Sequence, residues 1–154
     1  MLALGKNRGF TLMEMLVTLA VVAIVASLAV PSFQNMIATQ RVRSAANDLV
    51  ASLNFARSEA VKRNATVTMT PAAGGWSDGW TVASGGNNLR VQDGFTGITL
   101  TGTPSATAFS FGGDGRRNGA DVEVEITPPS GSGSSTQCVN LSATGKPSLK
   151  SGSC

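Results

Sequence analysis

The chain has 154 residues, a net charge of +3 and 42% hydrophobic residues, with two cysteines and no histidine. The lack of histidine excludes Ser-His-Asp and Cys-His catalysis as well as histidine-ligated metal centres. Ten basic and eight acidic residues follow Val30, a balance too even to favour nucleic acid as the main partner. We expect a protein that is not an enzyme and that needs no cofactor and no metal.

The first predicted element is an apolar run at residues 10–30, preceded by a polar leader that carries Lys6 and Arg8. A helix of this length spans roughly 30 Å at about 1.5 Å per residue, the thickness of a bilayer's hydrocarbon core. The leader's positive charges predict that it stays in the cytoplasm and that the rest is exported. The run therefore predicts one transmembrane helix, whose single charged residue is Glu14.

Glu14 needs a partner, because an ionised carboxylate in lipid costs on the order of 2.5–3.5 kcal/mol on insertion scales. The apolar run offers no cationic side chain. A cut between Gly9 and Phe10 would create an α-amine four residues before Glu14, either for the same helix or for a neighbouring subunit. Two alternatives are an ordinary single-pass anchor, whose Glu14 reaches the interface, and a secretory signal peptide cut near residues 27–29.

The residues Gly-Phe-Thr-Leu-Met-Glu at 9–14, with the basic leader before them and Pro31 after the apolar run, carry a family resemblance. They resemble the prepilin signature of type IV pilins and type II secretion pseudopilins. The resemblance implies cleavage between Gly9 and Phe10 by a membrane prepilin peptidase and N-methylation of Phe10. It also implies that Glu14 is the assembly contact in a helical filament.

This resemblance divides the chain into a prepilin leader peptide at residues 1–9, a transmembrane and filament-core helix at 10–30, and a periplasmic domain at 31–154. The protein would lie in the bacterial inner membrane, with its N-terminus in the cytoplasm, before it enters a pilus or pseudopilus. Its partners would be the peptidase, the inner membrane and other pilins or pseudopilins.

Pro31 predicts a kink in the helix, since proline in a helix interior costs about 3 kcal/mol. The helical pattern then resumes and should end near Asn64. Apolar residues at three- and four-residue steps predict a stripe that packs on a sheet: Phe33, Met36, Ile37, Val42, Ala45, Ala46, Leu49, Leu53, Ala56 and Ala60.

From residue 65 the apolar period changes to two, which predicts strands. We expect a first strand at 65–70 that ends at Pro71, then a loop at 72–79. Further strands are predicted at 80–83, 89–92, 98–101, 106–111, 122–127 and 137–142, with a short one near Leu149. The Gly- and Ser-rich stretch 128–135 is expected to be a flexible loop without packing contacts. No internal repeat is visible.

This order of elements is similar to the minor pilins and pseudopilins of the GspH/FimT family, including its FimU-like members. Residues 53–60, Leu-Asn-Phe-Ala-Arg-Ser-Glu-Ala, match a segment that recurs at the helix end in that family, and Trp76 and Trp80 match its W-x-x-G-W stretch. The resemblance implies a type IV pilin-like α+β fold, with a long kinked helix packed on an antiparallel sheet. It implies a structural subunit of the type IV pilus tip or priming complex; the alternatives are a type II secretion pseudopilin H and a FimT-like DNA receptor.

Cys138 and Cys154 lie close together in sequence, and Cys154 is the last residue. Because an exported domain meets an oxidising compartment, we expect a disulfide bond between them. In the entropic model, a closed loop of about 15 residues is worth about 3 kcal/mol. The alternative is a pair of free thiols.

Asp121, Glu123 and Glu125 alternate with apolar residues. Alternation places the three acids on one face of a strand, so a solvated strand face is favoured over a calcium site.

Arg116 and Arg117 occupy a Gly-rich loop and, with Lys146 and Lys150, are candidate phosphate contacts. In DNA-uptake members of the family a Gly-Arg-x-Arg stretch carries that role. The matching residues 145–148 read Gly-Lys-Pro-Ser, and lysine cannot make the bidentate contact that arginine makes. Nucleic acid is therefore the less favoured partner.

Overall fold

The computed structural model describes residues 9–103 and 108–154, which form one helix and eight strands. Helix α1 comprises Leu12–Arg63. The strands are β1 Val67–Ala72, β2 Gly75–Ser84, β3 Asn87–Asp93, β4 Thr99–Thr103, β5 Phe109–Phe111, β6 Val122–Thr127, β7 Gln137–Leu141 and β8 Pro147–Ser151. A long helix followed by strands confirms the predicted α+β class.

Helix α1 begins with a side-chain cap. The hydroxyl oxygen of Thr11 accepts a hydrogen bond from the backbone N–H of Glu14 at 3.2 Å. Thr-x-x-Glu is the spacing of a capping box, and a carboxylate in the first turn is favoured by the helix dipole. The helix therefore starts at Leu12, two residues later than the apolar run.

Helix α1 ends at Arg63 because Asn64 takes up a left-handed conformation, with φ 47°. The N–H of Asn64 donates to the carbonyl of Val61, and the N–H of Ala65 donates to the carbonyl of Ala60, both at 3.2 Å. These are the two hydrogen bonds of a Schellman motif. The predicted helix end near Asn64 is confirmed.

The chain divides into two compact units; the first ends at Gln34 and the second is Asn35–Cys154. Helix α1 is assigned continuously through position 31, and a kink at Pro31 stays a prediction. In the second unit the buried face of the helix consists of Ala38, Val42, Ala45, Ala46, Leu49, Leu53, Ala56 and Ala60. The predicted stripe is thus correct from Val42 onward.

The predicted stripe is wrong at its first three residues. The side chains of Phe33 and Met36 are 63% and 70% exposed, and that of Ile37 is 38% exposed. Spacing alone placed them on the core side, but the buried face begins only at Ala38. These apolar residues are available for contacts outside the domain.

The second unit contains two antiparallel sheets, in the strand orders β3-β2-β1-β5 and β4-β6-β7-β8. Their inner residues share one core with the buried face of α1; the largest that are fully buried are Trp80, Phe109, Phe111, Met69, Ile126 and Leu141. Ser77 links the two sheets, because its hydroxyl oxygen accepts a hydrogen bond from the N–H of Leu100 at 2.9 Å.

Two expectations for the first hairpin are wrong. Strand β1 continues through Pro71, which lies opposite Trp80, and the register shifts just after it. Such an irregularity accommodates a residue without an N–H. Residues 75–79 belong to β2 rather than to a loop, because Trp76 and Trp80 are both buried and the Trp76 ring stacks on Phe109 at 4.4 Å.

The Gly- and Ser-rich stretch 128–135 is also not the contact-free loop that its composition predicts. The hydroxyl of Ser134 donates to the carbonyl of Asn35 at 3.1 Å and lies 3.0 Å from the hydroxyl oxygen of Thr39.

The other strands lie where they were predicted, and their ends differ from the predicted ends by at most two residues. Residues 106 and 107 of the expected strand 106–111 lie outside the described residues.

Candidate functional site

The predicted cleavage bond lies between Gly9 and Phe10, in non-helical chain just before the cap of α1. Both residues are exposed, and the side chain of Phe10 is 80% exposed. Exposed chain outside regular structure is the ordinary substrate of proteases. The geometry is therefore compatible with processing at this bond.

Glu14 lies on the first turn of α1 and is exposed. Among the described residues the ion pairs are those of Glu59 with Lys62 and with Arg63, so Glu14 has no cationic partner there. The surrounding apolar residues are more than half exposed: Leu12, Met13, Met15, Leu16, Val17, Leu19, Val21, Val22, Ile24, Val25, Leu28 and Val30.

Helix α1 contains an 18-residue window with a mean hydropathy of 2.4, none of which is buried within the structure. By length and composition this helix is able to cross a membrane. An apolar helix surface without a cover, and an acid without a partner, both require something outside the described residues.

Cys138 and Cys154 form the predicted disulfide bond. Cys138 is buried on β7, and Cys154 is exposed at the end of the chain. The backbone N–H of Cys154 donates to a carboxylate oxygen of Glu125 at 3.1 Å. The bridge and this hydrogen bond together attach the C-terminus to β6 and β7.

The acidic residues near β6 act as hydrogen-bond acceptors within the domain. Asp121 accepts from the N–H of Ala143 at 2.6 Å, and Glu123 accepts from the amide of Asn140 at 3.2 Å. Glu125, as described, accepts from Cys154. Each of the three carboxylates thus accepts a hydrogen bond from a different donor of the domain.

Two turns of the same construction follow β5 and β7. We name them the first glycine turn, residues 112–116, and the second glycine turn, residues 142–146. In each turn the N–H of the first residue donates to the carbonyl of the fifth, and the N–H of the fourth donates to the carbonyl of the first, at 2.8–3.2 Å. The fourth residues, Gly115 and Gly145, have φ of 74° and 79°, which glycine adopts without steric cost.

The sequence did not reveal this structural repeat, because the two turns share only a glycine followed by a basic residue. In the structure they pack against each other. The N–H of Arg117 donates to the carbonyl of Ala143 at 3.1 Å, and a side-chain carbon at Gly145 would collide with the carbonyl oxygen of Gly115. The absence of a side chain at Gly145 is what lets the turns approach.

Arg57 connects helix α1 to the first glycine turn by a hydrogen bond. Its Nε donates to the carbonyl oxygen of Gly115 at 2.9 Å, across 58 positions of the sequence. In the sequence Arg57 is distinguished only as part of residues 53–60, the segment that matches the GspH/FimT family. Helical spacing carries no signal for this contact.

The four candidate phosphate contacts have different surroundings. Arg116 and Lys146 are exposed at the last positions of the two glycine turns, and Lys150 is exposed on β8. Arg117 is half-buried, with its guanidinium 5.9 Å from the centre of the Phe109 ring. Burial lowers the pKa of Arg117, and the charge of Asp121 raises that pKa in part. Arg117 thus contributes to packing, whereas Arg116 and Lys146 are exposed on two turns that pack against each other.

Comparisons with known proteins agree with this geometry. A family model described as type II transport protein GspH matches residues 45–145, and the prokaryotic N-terminal methylation motif matches residues 4–30. No curated protein matches the chain.

Crystal structures of the type IV minor pilin FimU from Pseudomonas aeruginosa are similar in two crystal forms. Their TM-scores are 0.63 and 0.60 at 24% and 26% identity, over 72% and 70% of this chain and 89% and 91% of FimU. The minor pseudopilin EpsH from the type 2 secretion system of Vibrio cholerae has a TM-score of 0.57 at 12% identity, over 72% of this chain and 97% of EpsH. The shared fold is the pilin fold that the sequence predicted.

Proposed function

Because the chain belongs to the GspH family of pilin and pseudopilin subunits, we propose that it is a minor pilin of a type IV pilus, built into the tip or priming complex. The observation that carries the proposal is the N-terminal methylation motif at residues 4–30, combined with an apolar helix surface that none of the described residues covers. A filament subunit uses such a helix in two successive environments: in the membrane before assembly, and in the filament core after assembly. Neither role involves catalysis.

In this proposal the chain is processed before assembly. A prepilin peptidase removes residues 1–9, and the new α-amine of Phe10 is methylated. Residues 10–30 hold the subunit in the inner membrane, with the N-terminus in the cytoplasm and residues 31–154 in the periplasm. The domain then determines which subunits it meets in the filament.

Glu14 has a specific part in assembly. Its carboxylate lies on an apolar helix without a cationic partner among the described residues. A neighbouring subunit's methylated Phe10 amine supplies a cation at the same level, so two charges that are costly in an apolar surrounding neutralise each other. The pair fixes the register of one subunit against the next.

The choice of a pilus over a secretion pseudopilus is supported by sequence identity, which is 24–26% to FimU and 12% to EpsH. The type II secretion pseudopilin is the alternative within the same family. Deletion of the chain in its host separates the two machines: loss of pili with intact protein secretion supports the pilus, and the reverse supports the pseudopilus.

Mass spectrometry of the native protein tests the proposed function. We expect a mature chain that starts at N-methylated Phe10. We further expect that Glu14→Ala abolishes incorporation into filaments, whereas Met13→Ala, a change beside it on the same turn, leaves incorporation intact. A native chain that still carries Met1, or normal incorporation of Glu14→Ala, would contradict the proposal.

A further inference from the structure

An open groove of about 430 Å³ lies along the last three turns of α1. It is lined by Asn54, Arg57, Ser58, Val61 and Lys62. These positions are three or four apart, so they form one face of the helix. The side chain of Val61 is 53% exposed, so the groove combines an apolar contact with polar and cationic groups.

Both glycine turns adjoin this groove. A side-chain carbon at Gly115 would lie 2.9 Å from Val61 Cγ2 and 3.4 Å from Arg57 Nε, and one at Gly145 would lie 3.4 Å from the same nitrogen. Arg116 and Lys146, which directly follow these glycines, are exposed. The fold thus places the backbones of two turns, each of which carries an exposed cation, beside the helix residues that line the groove.

The groove and its rim carry an excess of positive charge. Arg57, Lys62, Arg63, Arg116 and Lys146 are five cations, against three acids: Glu59, Asp114, and Asp121, which accepts the N–H of Ala143 in the second glycine turn. Glu59 lies 2.7 Å from Arg63 and 3.5 Å from the exposed Lys62, and Asp114 accepts the N–H of Arg116 within its own turn. Among the described residues no carboxylate forms an ion pair with Arg57, Arg116 or Lys146.

We propose that this groove binds an acidic, extended segment of a neighbouring subunit, with Arg116 and Lys146 contacting its carboxylates; the proposal deepens the filament function above and rests on it. Subunits whose apolar helices share a filament core must place their domains side by side. The excess cations of one domain attract acids of the next, and complementary charge favours one partner and one register over others.

The surface is less suited to nucleic acid. Binding of single strands uses aromatic side chains on which bases stack, yet Trp76, Trp80 and Phe109 are at most 5% exposed. Affinity for duplexes grows with the number of phosphates neutralised, and this groove offers only a few cations. Val61, Asn54 and Ser58 instead provide the mixed apolar and polar contacts that a peptide backbone uses.

The test measures binding of two fluorescein-labelled probes, hexaglutamate and a thymidine oligonucleotide of the same charge, to the purified full chain in detergent micelles. We expect hexaglutamate to bind at low salt, more tightly than the oligonucleotide. The double change Arg116→Glu with Lys146→Glu should weaken hexaglutamate binding about tenfold or more. The matched control, Arg41→Glu with Arg43→Glu, reverses two exposed charges elsewhere and should change it less than about twofold.

Three results would overturn the proposal. Equal losses in the two double variants would mean that only net charge matters. Tighter binding of the oligonucleotide would make the surface a nucleic-acid site, and no hexaglutamate binding at low salt would mean that there is no anion site. All four substituted side chains are exposed, so tryptophan fluorescence should verify an unchanged fold. Because the proposed function is tested by the N-terminal mass and by Glu14→Ala, its failure and that of the groove are distinguishable.

Discussion

Arg57 donates a hydrogen bond of 2.9 Å from its Nε to the carbonyl oxygen of Gly115. A side-chain carbon added at Gly145 would lie 3.4 Å from the same nitrogen. One side chain of α1 therefore binds the first glycine turn, which follows β5, and lies close to Gly145 of the second glycine turn, which follows β7 of the other sheet.

Replacing Arg57 with alanine should lower the free energy of unfolding of the domain by about 1.5–3 kcal/mol, the range for hydrogen bonds to charged groups. The carbonyl of Gly115 would lose its donor in a half-buried position. Denaturant titration, followed by the fluorescence of the buried Trp76 and Trp80, measures the change. The control Arg43→Ala removes an exposed helix arginine and should stay within about 0.5 kcal/mol of the unchanged protein; equal effects of the two changes would refute the assigned contact.

Gly145→Ala should destabilise the domain more than Gly131→Ala does. Both glycines have φ of 79°, so the cost of placing alanine in a left-handed conformation, about 1–2 kcal/mol, is common to both. Only at Gly145 would the added carbon collide with the carbonyl of Gly115, while at Gly131 it meets nothing within 4 Å. We expect a further loss of about 1–3 kcal/mol from this collision, measured by the same titration. Equal losses of unfolding free energy in the two variants would show that the close packing of the two turns does not contribute to stability.

Reduction of the disulfide, or Cys154→Ser, should lower the free energy of unfolding by about 3 kcal/mol in the chain-entropy model. The bond joins residues 16 apart and attaches the exposed C-terminus to the buried Cys138. Thermal unfolding with and without a thiol reductant provides the measurement. Cys154→Ser should be insensitive to the reductant; a further shift on its addition would contradict the single-disulfide assignment.

The last turn of α1 should respond to pH through Glu59. The hydrogen bond from Arg63 lowers the pKa of Glu59 below its ordinary value, and Lys62 contributes to the same direction. A carboxyl whose pKa is lower in the folded state stabilises that state above its unfolded pKa, about 4.3, and loses this effect as the pH falls through the folded pKa.

Glu59→Gln should therefore speed amide exchange in the last turn of α1 at neutral pH and change it little in strong acid, where Glu59 itself is protonated. Native-state hydrogen exchange at the two pH values, each referred to the unfolded-chain rate at that pH, measures the effect. Asp93→Asn, a change on the edge strand β3, is the control and should leave the helix end unaffected. An effect of Glu59→Gln that is as large in acid as at neutral pH would exclude the ion pairs as its cause.

Sequence patterns predicted those elements whose cause is local. Asn64 stops the helix through its own left-handed conformation and two short-range hydrogen bonds. The alternation at 122–127 predicted β6 to the residue, because one face of that strand is buried and the other is not. The disulfide was predicted from two cysteines in a domain expected to be exported, and the structure confirms the bond.

Predictions failed where a distant partner overrides the local signal. Turn-forming residues at 72–79 suggested a loop, but burial of two tryptophans against Phe109 makes most of that stretch a strand. The low-complexity stretch 128–135 contacts α1 through Ser134, which lies 99 positions from its acceptor Asn35. Phe33 and Met36 continue the apolar spacing but lie before the buried face of the helix begins.

The sequence by itself determined the α+β class, the apolar N-terminal helix with its single acid, and the processing signature from which family and filament role follow. The helix and its processing signature depend on charge, length and spacing within about thirty consecutive residues, and the α+β class depends on the local period of each later segment, so a linear pattern records both. Only the tertiary structure decided that two unlike turns share one construction and pack together, and that Arg57 binds one of them beside a groove of the helix. These contacts link residues 26 positions apart, Arg117 and Ala143, and 58 positions apart, Arg57 and Gly115, and packing of the core, rather than any local preference, brings them together.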